Sequence, residues 1–136
     1  MHRIARLAAA TFVLAGGYIH FDLWRDGYRA IDYIGPLFVA NAVVSALLVV
    51  ALLVRPDVRV AVAGVVFSVG SLVALVLSRT VGLLGFTERG WSDMAVQATT
   101  AEIGAIVAIA LVMVARRQPT PALALLPERR PRRRRP

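Results

Sequence analysis

IGPLFVANAVVSALLVVALLV, from Ile34 to Val54, carries no charged side chain and only two polar ones, Asn41 and Ser45. A helix needs about 20 predominantly apolar residues to cross the hydrocarbon layer of a membrane, and this stretch meets that length. It opens with Gly35-Pro36, and proline suits a first helical turn, where the amide hydrogen it lacks would have no intrahelical acceptor. It ends at Arg55-Pro56-Asp57, a link short enough to fold the next apolar run back as an antiparallel hairpin. That next run starts at Val58 or Val60 and continues to about Leu77, fraying through Val81–Phe86. Two more runs flank the hairpin. One covers about Leu7–Trp24 and the other about Met94–Ala115, with Ser92 placed to cap the latter. The expectation is an all-α membrane protein: an antiparallel four-helix transmembrane bundle over residues 1–117, with spans at about 7–24, 34–54, 60–77 and 94–115. No internal repeat is evident.

Composition agrees with this reading. Hydrophobic residues make up 58% of the 136, and the mean hydropathy is +0.69. That exceeds what a soluble domain of this size needs for its core. All sixteen basic residues are arginine, and the formal charge is +8. With no cysteine there is no disulfide, thiolate nucleophile or cysteine-ligated metal centre. Met1–Gly17 has the basic start and apolar run of a signal peptide, but it lacks a convincing small-residue cleavage site and the run continues through Tyr18-Ile19. It is read as the start of an uncleaved span.

Arginine placement sets the expected orientation. Twelve arginines fall at one end of the spans (Arg3, Arg6, Arg55, Arg59, Arg116, Arg117 and six in the tail) and four at the other (Arg25, Arg29, Arg79, Arg89). The second end also holds Asp22, Asp26, Asp32, Glu88 and Asp93, with Trp24, Tyr28, Tyr33 and Trp91. Positive residues stay inside and aromatic rings favour the interface, so both termini are expected in the cytoplasm of a bacterial plasma membrane. From Gln118 onward the composition changes, and Arg129–Pro136 reads RRPRRRRP. Proline blocks helix and like charges repel, so residues 118–136 are expected to be a disordered polybasic tail. Arg129, Arg130, Arg132, Arg133, Arg134 and Arg135 would attract anionic lipids, at roughly 1 kcal/mol each near the surface. No aromatic residues interleave these arginines, which argues against nucleic acid as a partner.

The spacing of the polar residues carries the functional signal. His20, Asn41 and Glu102 each lie fourteen residues from an arginine at the cytoplasmic end of a span, namely Arg6, Arg55 and Arg116. Fourteen helical residues rise roughly 21 Å, about two-thirds of a hydrocarbon layer some ~30 Å thick. The three side chains are thus expected in one layer in the outer leaflet. An ionised carboxylate there costs about 2.5–3.5 kcal/mol on insertion scales. Glu102 can take up a proton or pair with a cation, and the cation candidates are His20 at its own level and Arg79 nearer the outer surface. Around this layer, Gly16, His20 and Trp24 share a face with Gly17. Gly64, Ser68, Ser71 and Ser78 form a small, hydroxyl-bearing stripe suited to helix contact. The competing account is that the polar residues only hydrogen-bond the helices together, at about 0.6–2 kcal/mol each.

Several chemistries are excluded or disfavoured. A bis-histidine haem needs two membrane histidines, and the other histidine is His2. A His20–Glu102–Asn41 set is a weak metal ligand group, so no metal or cofactor is expected. No serine has a base within local reach of sequence, and no phosphate-binding glycine loop is present. The outer loop Asp22–Gly35, DLWRDGYRAIDYIG, is rich in charge and aromatics; it is expected to be an interfacial anchor, with a lid over the polar layer as the alternative.

His20–Asn41, HFDLWRDGYRAIDYIGPLFVAN, resembles a pattern found in a family of uncharacterised small four-span integral membrane proteins of actinobacteria. The pattern reads H-x-x-L-W, then G-Y-R-x-I-P-x-I-G-x-L-F, then an asparagine early in the second helix. The agreement takes in His20, Leu23, Trp24, Gly27 through Arg29, Ile31, Ile34, Gly35, Leu37, Phe38 and Asn41, and Gly82 through Glu88 also looks like that family. Asp32 stands where the pattern has proline, which loosens the loop. The resemblance implies fold and membrane location, and no activity. The expectation is a non-enzymatic accessory or assembly component whose polar layer contacts a protein partner, a second copy or an amphiphile such as a quinone. The alternative is a small proton-coupled transporter using Glu102.

Overall fold

The computed structural model describes residues 2–55 and 57–117. The expected tail and the lipid contacts of Arg129 to Arg135 lie outside the described residues. Within them the chain forms α1 (His2–Arg25), a single 3-10 turn (Tyr28–Ala30), α2 (Ile34–Val54), α3 (Val58–Thr80) and α4 (Asp93–Arg117). All four α-helices are long and apolar enough to cross a membrane. There is no strand among the described residues, only an isolated bridge between Leu83 and Phe86 in the α3–α4 connection.

Side-chain caps fix two helix starts. The Asp57 carboxylate accepts from the amides of Arg59 and Val60, at 2.7 and 3.0 Å, and so satisfies donors that the first turn of α3 leaves unpaired. These two bonds hold its carboxyl below the usual carboxylate range. Ser92 Oγ accepts from the Ala95 amide at 3.3 Å at the start of α4.

The helices form a four-helix bundle in chain order around a ring. α1 packs extensively against both α2 and α4, α3 packs against α4, and α2 and α3 meet least. Small side chains make the close contacts. The main core cluster joins Ala9 and Val13 of α1, Leu52 of α2, Ala61 of α3, and Ala105, Ala108 and Ile109 of α4. A second cluster nearer the other end joins Ile19, Ala98 and Ala101. Alanine and glycine let backbones approach, so dispersion contacts accumulate over the length of each seam. Large apolar side chains instead cover the outside: Leu47 and Val66 are each 65% exposed and Leu111 is 57% exposed. An apolar exterior of this extent is unfavourable in water.

At Gly17 α1 approaches α2 so closely that an added Cβ would stand 2.5 Å from Ser45 Cβ. Gly17→Leu is therefore expected to force α1 and α2 apart and cost about 1–3 kcal/mol, the usual range for overpacking. Reversible unfolding of the detergent-solubilised protein measures this. An unchanged midpoint would show that the α1–α2 seam is looser than described.

Candidate functional site: a cavity between α2 and α3

The weak α2–α3 seam opens into a cavity of about 370 Å³. Its walls are mostly apolar, with Leu37, Phe38 and Val44 from α2 and Phe67, Ala74 and Leu75 from α3. α1 contributes His20 and Leu23, α4 contributes Ala95 and Ala98, and Tyr28, Phe86 and Glu88 reach over it from the connecting segments. Ala40 and Val44 on one side, and Val66 and Gly70 on the other, line the cavity and are also exposed. The opening therefore lies between two apolar helix faces.

Polar groups mark the floor. Asn41 Nδ2 donates to Ser71 Oγ at 2.7 Å and joins α2 to α3. The Ser45 hydroxyl donates to Asn41 Oδ1 at a long 3.4 Å. Glu102 of α4 is 4% exposed and stands behind Ser71, off the cavity wall. Its carboxyl lies beside the hydroxyls of Ser68 and Ser71. With Ser68 the approach does not close a hydrogen bond of standard geometry, since Ser68 Oγ is sealed and has no partner within bonding distance. The two groups are neighbours without a hydrogen bond between them. On the α1 side, an added Cβ at Gly16 would sit 3.2 Å from Glu102 Oε1, so this glycine makes the room that the carboxyl occupies.

Of the three residues expected in one layer, Asn41 and Glu102 both neighbour Ser71, while the cations expected beside Glu102, His20 and Arg79, have other partners. His20 Nδ1 donates to the Gly16 carbonyl at 2.8 Å, and the ring packs on Phe38 with centroids 5.1 Å apart. No ion pair joins His20 to Glu102 among the described residues. Both touch Gly16, but the ring bonds back to its own helix while the carboxyl turns toward α3. Arg79 pairs with Glu88, Nη2 to Oε2 at 3.0 Å, and not with Glu102. The cause is distance along the helix: Arg79 sits two turns beyond Ser71, at the end of α3 where the chain folds back. Among the described residues no three histidine or acidic side chains come together as a metal site.

The pair at the mouth was not legible as a pair. Tyr28 donates to Glu88 Oε1 at 2.8 Å across sixty residues of sequence. Arg79 also donates from Nη1 to the Gly90 carbonyl and lies 5.4 Å from the Trp91 ring. Its side chain is only 8% exposed, and its Nε is sealed without a partner. Burial first, and then the hydrogen bond and charge of Glu88, push the Tyr28 hydroxyl up to about 12, against the opposing pull of Arg79. Tyr28 therefore remains a donor at any pH a cell reaches. Together these residues tie the α1–α2 loop to the α3–α4 connection above the cavity.

Comparison of the chain with protein-family profiles, with curated proteins and with solved structures gives no match.

Proposed function

We propose that this chain is a multi-pass protein of a bacterial plasma membrane, with both termini cytoplasmic, that holds a membrane amphiphile between α2 and α3. Its role is non-enzymatic, as an accessory or assembly component of a larger complex. One observation carries this reading: an apolar cavity with a polar floor at Asn41–Ser71 opens between two exposed apolar helix faces. Its volume falls within the roughly 300–1,000 Å³ typical of ligand pockets. An amphiphile such as a quinone would place its ring in the cavity and let its tail leave between Val44 and Val66 into lipid. The resemblance to small actinobacterial four-span proteins and the arginine asymmetry support the membrane and the orientation.

Two measurements test it. Gentle extraction followed by mass spectrometry is expected to recover a bound amphiphile with the intact protein. Ala74→Trp, which fills the cavity, is expected to reduce its recovery about tenfold, the equivalent of ~1.4 kcal/mol. Equal recovery from both proteins would place any bound amphiphile elsewhere. For orientation, cysteines introduced at Gly27 and Gly90 should react with an impermeant thiol reagent in intact cells and one at Asp57 should not; the reverse pattern would invert the topology.

A second reading, a small proton-coupled transporter using Glu102, has one observation in its favour. The buried carboxyl has serine hydroxyls beside it and no cation within ion-pair distance among the described residues.

A further inference from the structure

The hydrogen-bonding capacity left free in the cavity is unequal, and this specifies the head group of the amphiphile. The inference rests on the amphiphile reading above. The Gly16 carbonyl can only accept, so in the 2.8 Å bond His20 Nδ1 must carry the hydrogen. In the neutral ring Nε2 is then an acceptor. It has no protein donor among the described residues, and it is not one of the polar atoms sealed from access. At the floor, Asn41 has given one amide hydrogen to Ser71, and its carbonyl oxygen holds only the long contact from Ser45. The Tyr28 hydroxyl, the obvious donor at the mouth, is committed to Glu88.

A ketone, ester or ether head brings only acceptors and would leave the His20 nitrogen unpaired. A hydroxyl head can donate to that nitrogen. The cavity wall also favours a flat ring. His20 stacks obliquely on Phe38, Phe38 lies nearly parallel to Tyr28 at 5.0 Å and 18°, and Tyr28 meets Phe86 edge-on at 5.9 Å. These rings follow one side of the cavity from His20 to the mouth.

We infer that the cavity selects a phenolic amphiphile, a hydroquinone-type ring on an apolar tail, over the matching quinone or ether, with His20 accepting the phenolic hydrogen.

The test uses the full chain in lipid nanodiscs under anaerobic conditions, with three probes sharing one alkyl tail: a hydroquinone, its benzoquinone and its dimethyl ether. The hydroquinone is expected to bind about tenfold or more tightly than either of the others, as when a buried acceptor is left unmade. His20→Phe keeps the ring against Phe38 and is expected to abolish that preference. In the unaltered protein, nitrogen-15 resonance should show His20 Nε2 without a proton, and its signal should move when the hydroquinone binds. Equal binding of all three probes would overturn the selectivity and leave the amphiphile site standing. Tighter binding of the quinone, or a protonated Nε2 in the free protein, would also overturn it. Failure of all three probes to bind would remove the amphiphile reading itself.

Discussion

Glu88→Ala should destabilise the protein by about 1–3 kcal/mol, the usual cost of leaving hydrogen-bonding groups without their partner, because the pair is partly buried, with side chains 8% exposed at Arg79 and 26% at Glu88. The substitution would leave the Arg79 guanidinium, 8% exposed, without its carboxylate, and Tyr28 without its acceptor. Glu88→Gln, which keeps an acceptor for Tyr28 but loses the charge, should fall between Ala and the unaltered protein. Unfolding in mixed micelles measures both. The loss should be visible first at the end of the bundle that holds the α3–α4 connection, as faster amide exchange in 82–91 than in the core around Ala105. A Glu88→Ala protein as stable as the original would mean that the two connecting segments are not fastened to each other.

The second large effect concerns the polar floor. Asn41→Leu removes the amide that joins α2 to α3 and leaves Ser71 and Ser45 with fewer partners, at a cost of about 1–3 kcal/mol. The Asn41→Leu/Ser71→Ala cycle should be non-additive by about 0.5–3 kcal/mol, because the two side chains are in direct contact at 2.7 Å. The His20→Ala/Glu102→Gln cycle should add within about 0.3–0.5 kcal/mol, as expected for groups with separate partners. Coupling in the second cycle and none in the first would mean that the carboxyl turns toward α1 and not α3. Glu102→Gln also separates the two functional readings. As an amphiphile holder, the variant keeps the cavity and its ligand. As a proton-coupled transporter, it folds and loses gradient-driven flux.

The helices were readable because their signal is one-dimensional. Runs such as Ile34–Val54 are long and almost free of polar atoms, and only helix satisfies the backbone in such a segment. Level along a helix follows from a fixed rise per residue. Asn41 and Ser71 meet across the α2–α3 seam, and Glu102 reaches the same level. Rotation and partner choice are different matters. His20 and Glu102 both lie against Gly16, yet His20 spends its ring hydrogen on the carbonyl one turn back. No residue spacing separates that bond from one across the bundle. Ser68 and Ser71 were visible as a hydroxyl stripe, but their proximity to Glu102 follows from how α3 turns against α4 at Gly64 and Ile109. Tyr28 and Glu88 carry no local signal of their pairing at all, because it forms only when two connections converge over the opening. The α2–α3 cavity itself was hidden for a related reason: the sequence shows that both faces are apolar, and not that α2 and α3 meet least.

The central claim is that an amphiphile occupies the space between α2 and α3. Photolabelling tests it most directly, using a tail-bearing phenol with a diazirine on its ring, in native membranes, followed by peptide mapping. The account predicts labelling confined to residues 37–44 and 66–75, competed by unlabelled probe and lost in Ala74→Trp. Labelling spread evenly over the exposed faces of α1 and α4, insensitive to competition and to Ala74→Trp, would contradict it.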